Sequence, residues 1–548
     1  MPAVAEVGLD SLLMKRLRLV ALCRRVFPKR KTLLLNRAPA RYLCWIAWGR
    51  TTIVRPQARF VCKEFLTSCE RLHMVNHKKE GSKTESPEYK IGIQMKYLFR
   101  TVRPATGATF QGCPGVKIVV WGMVLMGLIC HSGAQAYVFP HETGPVKLTW
   151  SGYINTDASF DTRQTFSFRE GLTLATPLPR DVADDGVDTN KYGSFNWNSV
   201  ASSLSVRIDG PPLFCSQKTY AVIGMDFRGV DDATMALLRF YPAYVNLDWQ
   251  KISLLLGQCL TPLLPPGINS RRVMYDGSPW PFFDTDPSLP QVRVTFYPES
   301  GYQNPDQIII ACVGRTRTTP SAGPDGPLVI YARNGLMPAF HMQGRKYVSD
   351  ALCLGLCVEA KRLIPRLRTT TVTGKHYAEH ESVNGVVVSG YGCMQTDDFA
   401  LKIKGSYVVN GGDYEFVSGY AVKTRDPVTD RCTYTPLRCF ACWGEADIFP
   451  RCAWSPGLFI GFTQNLGASE HLYSDPVTHQ PIVYSYAADL DYLVSLIPRL
   501  WHTRDNFAVG FELDLSWASF GALDSYGRPD GTKPVFNARL LGSCFYRF

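Results

Sequence analysis

The sequence predicts an all-β chain in which residues 137–548 close into a transmembrane antiparallel β-barrel of about sixteen strands, within a range of fourteen to eighteen. Three observations predict it. Residues 536–548 alternate apolar and polar side chains up to a terminal aromatic, the same two-residue period recurs from Lys147 onward, and the connections between periodic runs alternate between long and short. A strand sends successive side chains to opposite faces, so such runs carry one face fit for lipid and one fit for water.

The chain divides by charge before it divides by fold. Lys and Arg number 59 against 47 Asp and Glu, a formal balance of +12. The excess sits in residues 1–115, with 22 basic and 7 acidic side chains, whereas residues 137–548 hold 36 basic and 40 acidic. Residues 1–115 show no sustained period of 2 or 3.6 and are read as a basic, untranslated extension without a fold. Their charge is therefore no argument for a nucleic-acid partner.

Residues 116–136 read as a signal peptide. Lys117 precedes the apolar run Ile118–Ile129, and Ala134-Gln135-Ala136 supplies small residues at a cleavage site after Ala136. The run is too short for a membrane helix, which needs about 20 apolar residues. Cys130 follows Leu128-Ile129 and lacks the small neighbour of a lipid-modified cysteine. A signal peptide acts from an N-terminus, so the expected start is Val116, with Met95 second.

The first strand is the clearest. Leu148, Trp150, Gly152, Ile154, Thr156, Ala158 and Phe160 share one face, and Lys147 to Asp161 at odd positions share the other. Comparable runs follow at 199–209, 219–228, 238–249, 251–258, 290–297, 307–314, 338–346, 351–361, 383–395, 398–408, 437–448, 455–465, 484–497, 506–517 and 536–548. A further hairpin at Tyr414–Val422 is left inside the long connection between Val409 and Pro436. The odd-numbered connections are mostly long and the even-numbered ones mostly short, as in bacterial outer-membrane barrels with an even strand count and both chain ends in the periplasm. A soluble sandwich or propeller has no reason for that asymmetry.

Several stretches resemble the bacterial outer-membrane porins. They include Ser151-Gly152-Tyr153 through Phe160-Asp161-Thr162-Arg163-Gln164, Ala243-Tyr244-Val245-Asn246-Leu247-Asp248-Trp249, Pro290-Gln291-Val292-Arg293-Val294-Thr295, Lys361-Arg362-Leu363-Ile364-Pro365-Arg366-Leu367 and Gly419-Tyr420-Ala421-Val422-Lys423. The closing Tyr546 and Phe548 resemble the insertion signal of such barrels. The resemblance implies a sixteen-stranded, commonly trimeric channel in the outer membrane. It would pass small hydrophilic solutes, sit in outer-membrane lipid and be inserted by the barrel-assembly machinery.

Carrying the phase of the first strand along the chain sorts the lumen charges. Arg293, His341, Arg345, Lys361, Lys402 and Lys404 fall on one wall, beside Glu359. Asp157, Asp161, Asp489, Asp491, Glu512 and Asp514 fall on another, beside Lys147. Facing walls of opposite sign would order water and sort solutes. The connection from Cys259 to Leu289 is the expected pore-narrowing loop. Pro262, Pro265, Pro266 and Gly267 shape its path, and it carries Arg271, Arg272, Asp276, Asp284 and Asp286.

The remaining chemistry is sparse. Cys439 and Cys442 have CxxC spacing, but three residues along a strand means opposite faces, so they make a poor metal site. Cys353 and Cys357 share a face at roughly 13 Å, too far for a bond. Cys312 and Cys544 read as small lipid-facing residues and Cys432 as a loop cysteine able to cross-link subunits. There is no phosphate-cradling Gly loop, HExxH or GxSxG, and neither a cofactor nor an enzymatic activity is expected. Two other classes remain: a surface adhesin or structural protein anchored by its barrel, and an outer-membrane lipase.

Overall fold

In a computed structural model the described residues are 137–548 apart from 142–143, 168–172, 230–231, 275–280, 286, 300, 304–305 and 316–318. The basic segment, the signal peptide with Ala134 and Ala136, and the loop residues Asp276 and Asp286 lie outside the described residues.

Sixteen antiparallel strands follow one another round a single closed sheet. They are β1 (Gly144–Asp161), β2 (two segments, Ser194–Asn198 and Ser203–Gly210), β3 (Lys218–Asp226), β4 (Arg239–Asp248), β5 (Ile252–Leu260) and β6 (Ser288–Phe296). Next come β7 (Gln307–Gly314), β8 (Ala339–Tyr347), β9 (Leu352–Leu363), β10 (Val383–Gln395) and β11 (Phe399–Val409). The last five are β12 (Arg438–Ile448), β13 (Trp454–Gly467), β14 (Leu490–Arg504), β15 (Phe507–Leu523) and β16 (Pro529–Arg547). The ladder closes where β16 pairs β1, Tyr153 opposite Arg547 and Asp161 opposite Arg539. Closure leaves no unpaired edge, which hydrocarbon would penalise by several kcal/mol per unsatisfied group.

Each of the sixteen expected runs falls on one of these strands, and the differences gather near the C-terminus. β14 begins and ends later than its expected run. β15 and β16 join through residues 524–528, where the sequence suggests a long loop over 518–535. The reason is that Asp524–Pro534 is polar, so the hydrophobic signal stops while the ladder continues from Ala518 opposite Val535 to Leu523 opposite Pro529. The extra hairpin is real but displaced. Tyr420–Arg425 pairs with Cys432–Pro436 and with Val483–Tyr484 in a small separate sheet.

The distribution of side chains is the reverse of a soluble barrel. Ile154, Phe160, Val292, Val294, Met342, Leu356, Ile460, Leu513 and Leu540 are exposed on the outer face, while Asn155, Asp157, Ser159 and Asp161 between them are buried. The outer face carries Phe160, Phe195, Trp197 and the pair Trp517 and Phe536 (5.0 Å) near one rim, and Phe507 and Tyr546 near the other. An apolar band edged by aromatic side chains is how a barrel meets a bilayer.

Both described chain ends meet at the rim that bears the short turns 249–251, 348–351, 396–398, 449–453 and 505–506. Phe548 and Gly152 exchange two backbone hydrogen bonds of 3.0 Å, and Tyr137–His141 extends the same edge of β1. Glycine suits position 152, since a Cβ there would lie 2.4 Å from the Ser203 carbonyl oxygen.

Candidate functional site: a loop folded across the lumen

The described residues between β5 and β6, 261–274, 281–285 and 287, leave the wall and lie inside the cylinder. Their partners stand on β8, β9 and β11 to β15, which only a path through the interior can reach. Leu263, Ile268, Val273, Phe282 and Phe283 are buried. Phe283 packs 6.0 Å from Phe459, which in turn stacks on Trp443 at 5.9 Å.

A buried loop must find partners for its backbone, and here the lumen side chains supply them. Lys404 Nζ donates to the Leu263 carbonyl (2.6 Å), Arg345 Nη1 to Pro266 (3.1 Å), Lys402 Nζ to Asn269 (2.5 Å) and Trp501 Nε1 to Arg271 (3.1 Å). In the other sense, the Arg271 amide donates to Glu445 Oε1 (3.1 Å) and the Val273 amide to Glu512 Oε1 (2.8 Å). The wall also makes room. A Cβ on Gly461 would come within 2.9 Å of the Phe283 ring, and one on Gly510 within 2.7 Å of Val273.

Glu445 is the centre of the latch. It accepts from Ser270 Oγ at 2.5 Å and pairs with Lys402 and Arg499, each at 2.9 Å; Arg499 also reaches Asp447 at 3.1 Å. Arg271 Nη1 donates to Ser455 Oγ at 2.6 Å. Deeper in, Asp284 pairs with Lys404 and accepts from Trp443 Nε1 at 3.0 Å. Lys361 pairs with Asp413, which residues 410–437 bring into the lumen, and lies 4.5 Å from the Tyr414 ring centre.

The other residues expected in the lumen take varied positions. Arg293 donates to Gln291 and to the Leu260 carbonyl. Asp161 is clamped by Arg539 at 2.9 Å and Asn537 at 2.8 Å, Asp157 accepts from Asn155 and Ser543, and Asp514 accepts from Ser516. Asp489 precedes β14, and a register shift between Leu490 and Tyr492 takes Asp491 out of the ladder, so neither shares the phase of Glu512 and Asp514. The walls are not of single sign. Arg499 and Arg539 stand among the acids, and Glu445 beside Lys402. Extending the last strands by their own alternation would have found Arg499, which lies beyond the expected end of its run.

On the short-turn side of the loop a cavity of about 480 Å³ is lined by Tyr153, Asn269, Ser270, Arg271, Arg272, Trp501, Thr503, Phe545 and Arg547. The lining holds three arginines and three aromatic rings but no carboxylate.

Two cysteine expectations need correction. Cys312 is buried on the inner face, opposite Arg293 and His341, because β7 is apolar on both faces and its phase is ambiguous. Cys432 is buried with Arg366 Nη2 2.7 Å from its sulfur, so it is not placed to join subunits. Among the described residues no group of three or more His, Cys, Asp or Glu could hold a metal ion, and no helix is long and apolar enough to cross a membrane.

No protein-family model matches the sequence, and no curated protein matches it. Solved structures do resemble it. The outer-membrane channel DcaP of Acinetobacter baumannii is 13% identical, with 75% of this chain and 99% of that one covered and a TM-score of 0.53. OmpT of Vibrio cholerae is 8% identical over 75% of this chain and 100% of that one, with a TM-score of 0.44. An anion-selective porin from Comamonas acidovorans is 7% identical over 74% and 100%, with a TM-score of 0.42. The likeness to DcaP shows the fold alone, a closed antiparallel β-barrel.

Proposed function

We propose that the chain is a porin of the bacterial outer membrane, a water-filled channel for passive diffusion of small hydrophilic solutes in which anions are favoured. One observation carries the reading. The described residues of the β5–β6 loop lie inside a barrel with an apolar exterior, and beside them opens a cavity with Arg271, Arg272 and Arg547 and no carboxylate. A cavity of one sign raises the local concentration of the opposite ion. In the same reading residues 116–136 export the chain, Tyr546 and Phe548 present it to the barrel-assembly machinery, the short-turn rim faces the periplasm, and three copies associate.

The test is ion conduction by purified protein in planar bilayers under a salt gradient. The expected result is discrete channels with an anion-selective reversal potential that moves toward zero in the double variant Arg271→Ala, Arg272→Ala. Unchanged selectivity in that variant would remove both residues from the site. Folded protein that never conducts would favour a barrel-anchored adhesin or structural protein, to which the small sheet of Tyr420–Arg425, Cys432–Pro436 and Val483–Tyr484 gives some footing. Phospholipid turnover would point to a lipase instead.

A further inference from the structure

Eleven cysteines stand free in the described residues, and only two of them face each other across adjacent strands. Cys353 on β9 and Cys393 on β10 are direct register partners. Both occupy the inward phase. Cys353 is buried while Leu354 and Leu356 are exposed, and Cys393 lies two residues from the buried Tyr391 and keeps partial solvent access.

The ladder sets their spacing. The Gln395 amide donates to the Ala351 carbonyl at 2.8 Å, so residues 351 and 395 form a pair of the hydrogen-bonded kind. Two residues further on, 353 and 393 repeat it, with Cα atoms about 5.5 Å apart. A disulfide joins Cα atoms about 4.4–6.8 Å apart. As direct partners on the inward phase, the two side chains leave the same face of the sheet side by side. They sit beside the turns 348–351 and 396–398, at the rim where both described chain ends meet.

We propose that Cys353 and Cys393 are an oxidation site, closing a lumen-facing disulfide between β9 and β10 by exchange with a small-molecule or protein disulfide. The more accessible Cys393 thiolate attacks one sulfur of the oxidant, forms a mixed disulfide and expels one thiolate. Cys353, deprotonated in turn, attacks Cys393 Sγ, breaks the mixed disulfide and expels the second thiolate. The two cysteine protons end on the two expelled sulfurs, the oxidant gains two electrons and the cysteines lose two. The link would fix the wall against which the narrowing loop rests, since the neighbouring Cys357 Sγ contacts the Pro262 carbonyl at 3.5 Å.

The experiment uses the full chain folded in detergent micelles, reduced, then incubated with glutathione disulfide, alkylated with N-ethylmaleimide and digested with trypsin without reduction. The expected product joins the peptide of residues 347–361 to that of residues 376–402. It is lighter by two hydrogens than the sum of its dithiol parts, with Cys357 alkylated. Cys353→Ser should abolish it while the barrel keeps its heat-modifiable migration in SDS. Alkylation of both Cys353 and Cys393 in oxidant-treated wild type, or a link through Cys357, would overturn the proposal. Because the oxidant is added in vitro, the outcome does not depend on the channel reading.

Discussion

Replacing Glu445 by Gln should loosen the loop that crosses the lumen while leaving the barrel intact. The carboxylate accepts from Ser270 Oγ at 2.5 Å and from the Arg271 amide at 3.1 Å, and it pairs with Lys402 and Arg499, both at 2.9 Å. The two bonds from the loop, from Ser270 and the Arg271 amide, go to a charged group and contribute about 1.5–3 kcal/mol each, roughly 3–6 kcal/mol together, whereas the pairs with Lys402 and Arg499 join wall strands to one another. Gln keeps one acceptor oxygen, so a loss near the low end, about 3 kcal/mol, is expected. At about 1.4 kcal/mol per factor of ten, that raises the open fraction of the loop roughly a hundredfold. None of these bonds belongs to the strand ladder, so the cylinder should stay closed. Hydrogen exchange by mass spectrometry reads the effect directly: residues 268–274 should exchange about a hundredfold faster, with β15 and β16 unchanged. Exchange within a few-fold of wild type would refute the idea that this carboxylate holds the loop.

Three further outcomes follow from the same geometry. Gly461→Val should push the Phe283 ring off the wall at a cost of about 1–3 kcal/mol, seen as faster limited proteolysis within residues 261–287; an unchanged digestion pattern would contradict it. Leu540→Arg puts a charge on the outer face at a residue 60% exposed, and should cost about 2–4 kcal/mol in urea unfolding from vesicles, whereas a neutral result would mean that this face does not meet lipid. The third outcome concerns pH. Partial burial alone would raise the Asp188 carboxyl, but the Arg163 guanidinium at 2.8 Å and the amides of Asp181 and Asn190 hold it below its ordinary 3.8. A depressed value in the folded state means the contacts of Asp188 with Arg163, Asp181 and Asn190 are fully formed above about pH 4 and weaken as pH falls through the lower folded value. Amide exchange at Asp181 and Asn190 should rise in that acid window, and Asp188→Asn should abolish the pH dependence.

The cylinder was legible because its signal is local: each strand declares its two faces within about ten residues. β7 shows where that fails, since Ile308, Ile310 and Cys312 face inward although they read as lipid-facing, and either phase suits an apolar run. At β14 the register shift after Leu490 breaks the alternation, and the expected run, 484–497, stops two residues short of Arg499. The inward course of the described β5–β6 loop residues follows from the loop's length, position and prolines. Its anchors do not, because Glu445, Trp501 and Glu512 lie far along the chain and nothing in their own neighbourhoods marks them as partners of a loop. The charges on the inner face were therefore visible as types, while their pairing with loop backbone was not.

The seam between β1 and β16 has a consequence for biogenesis. Half of the hydrogen-bonding border of the first strand waits for the last residues to be made, so no partial product can seal the wall. A polypeptide stopped before Pro529 would hold β1 and β15 as raw borders, sticky toward any other extended chain. Premature termination should thus yield aggregates or degradation fragments rather than smaller pores.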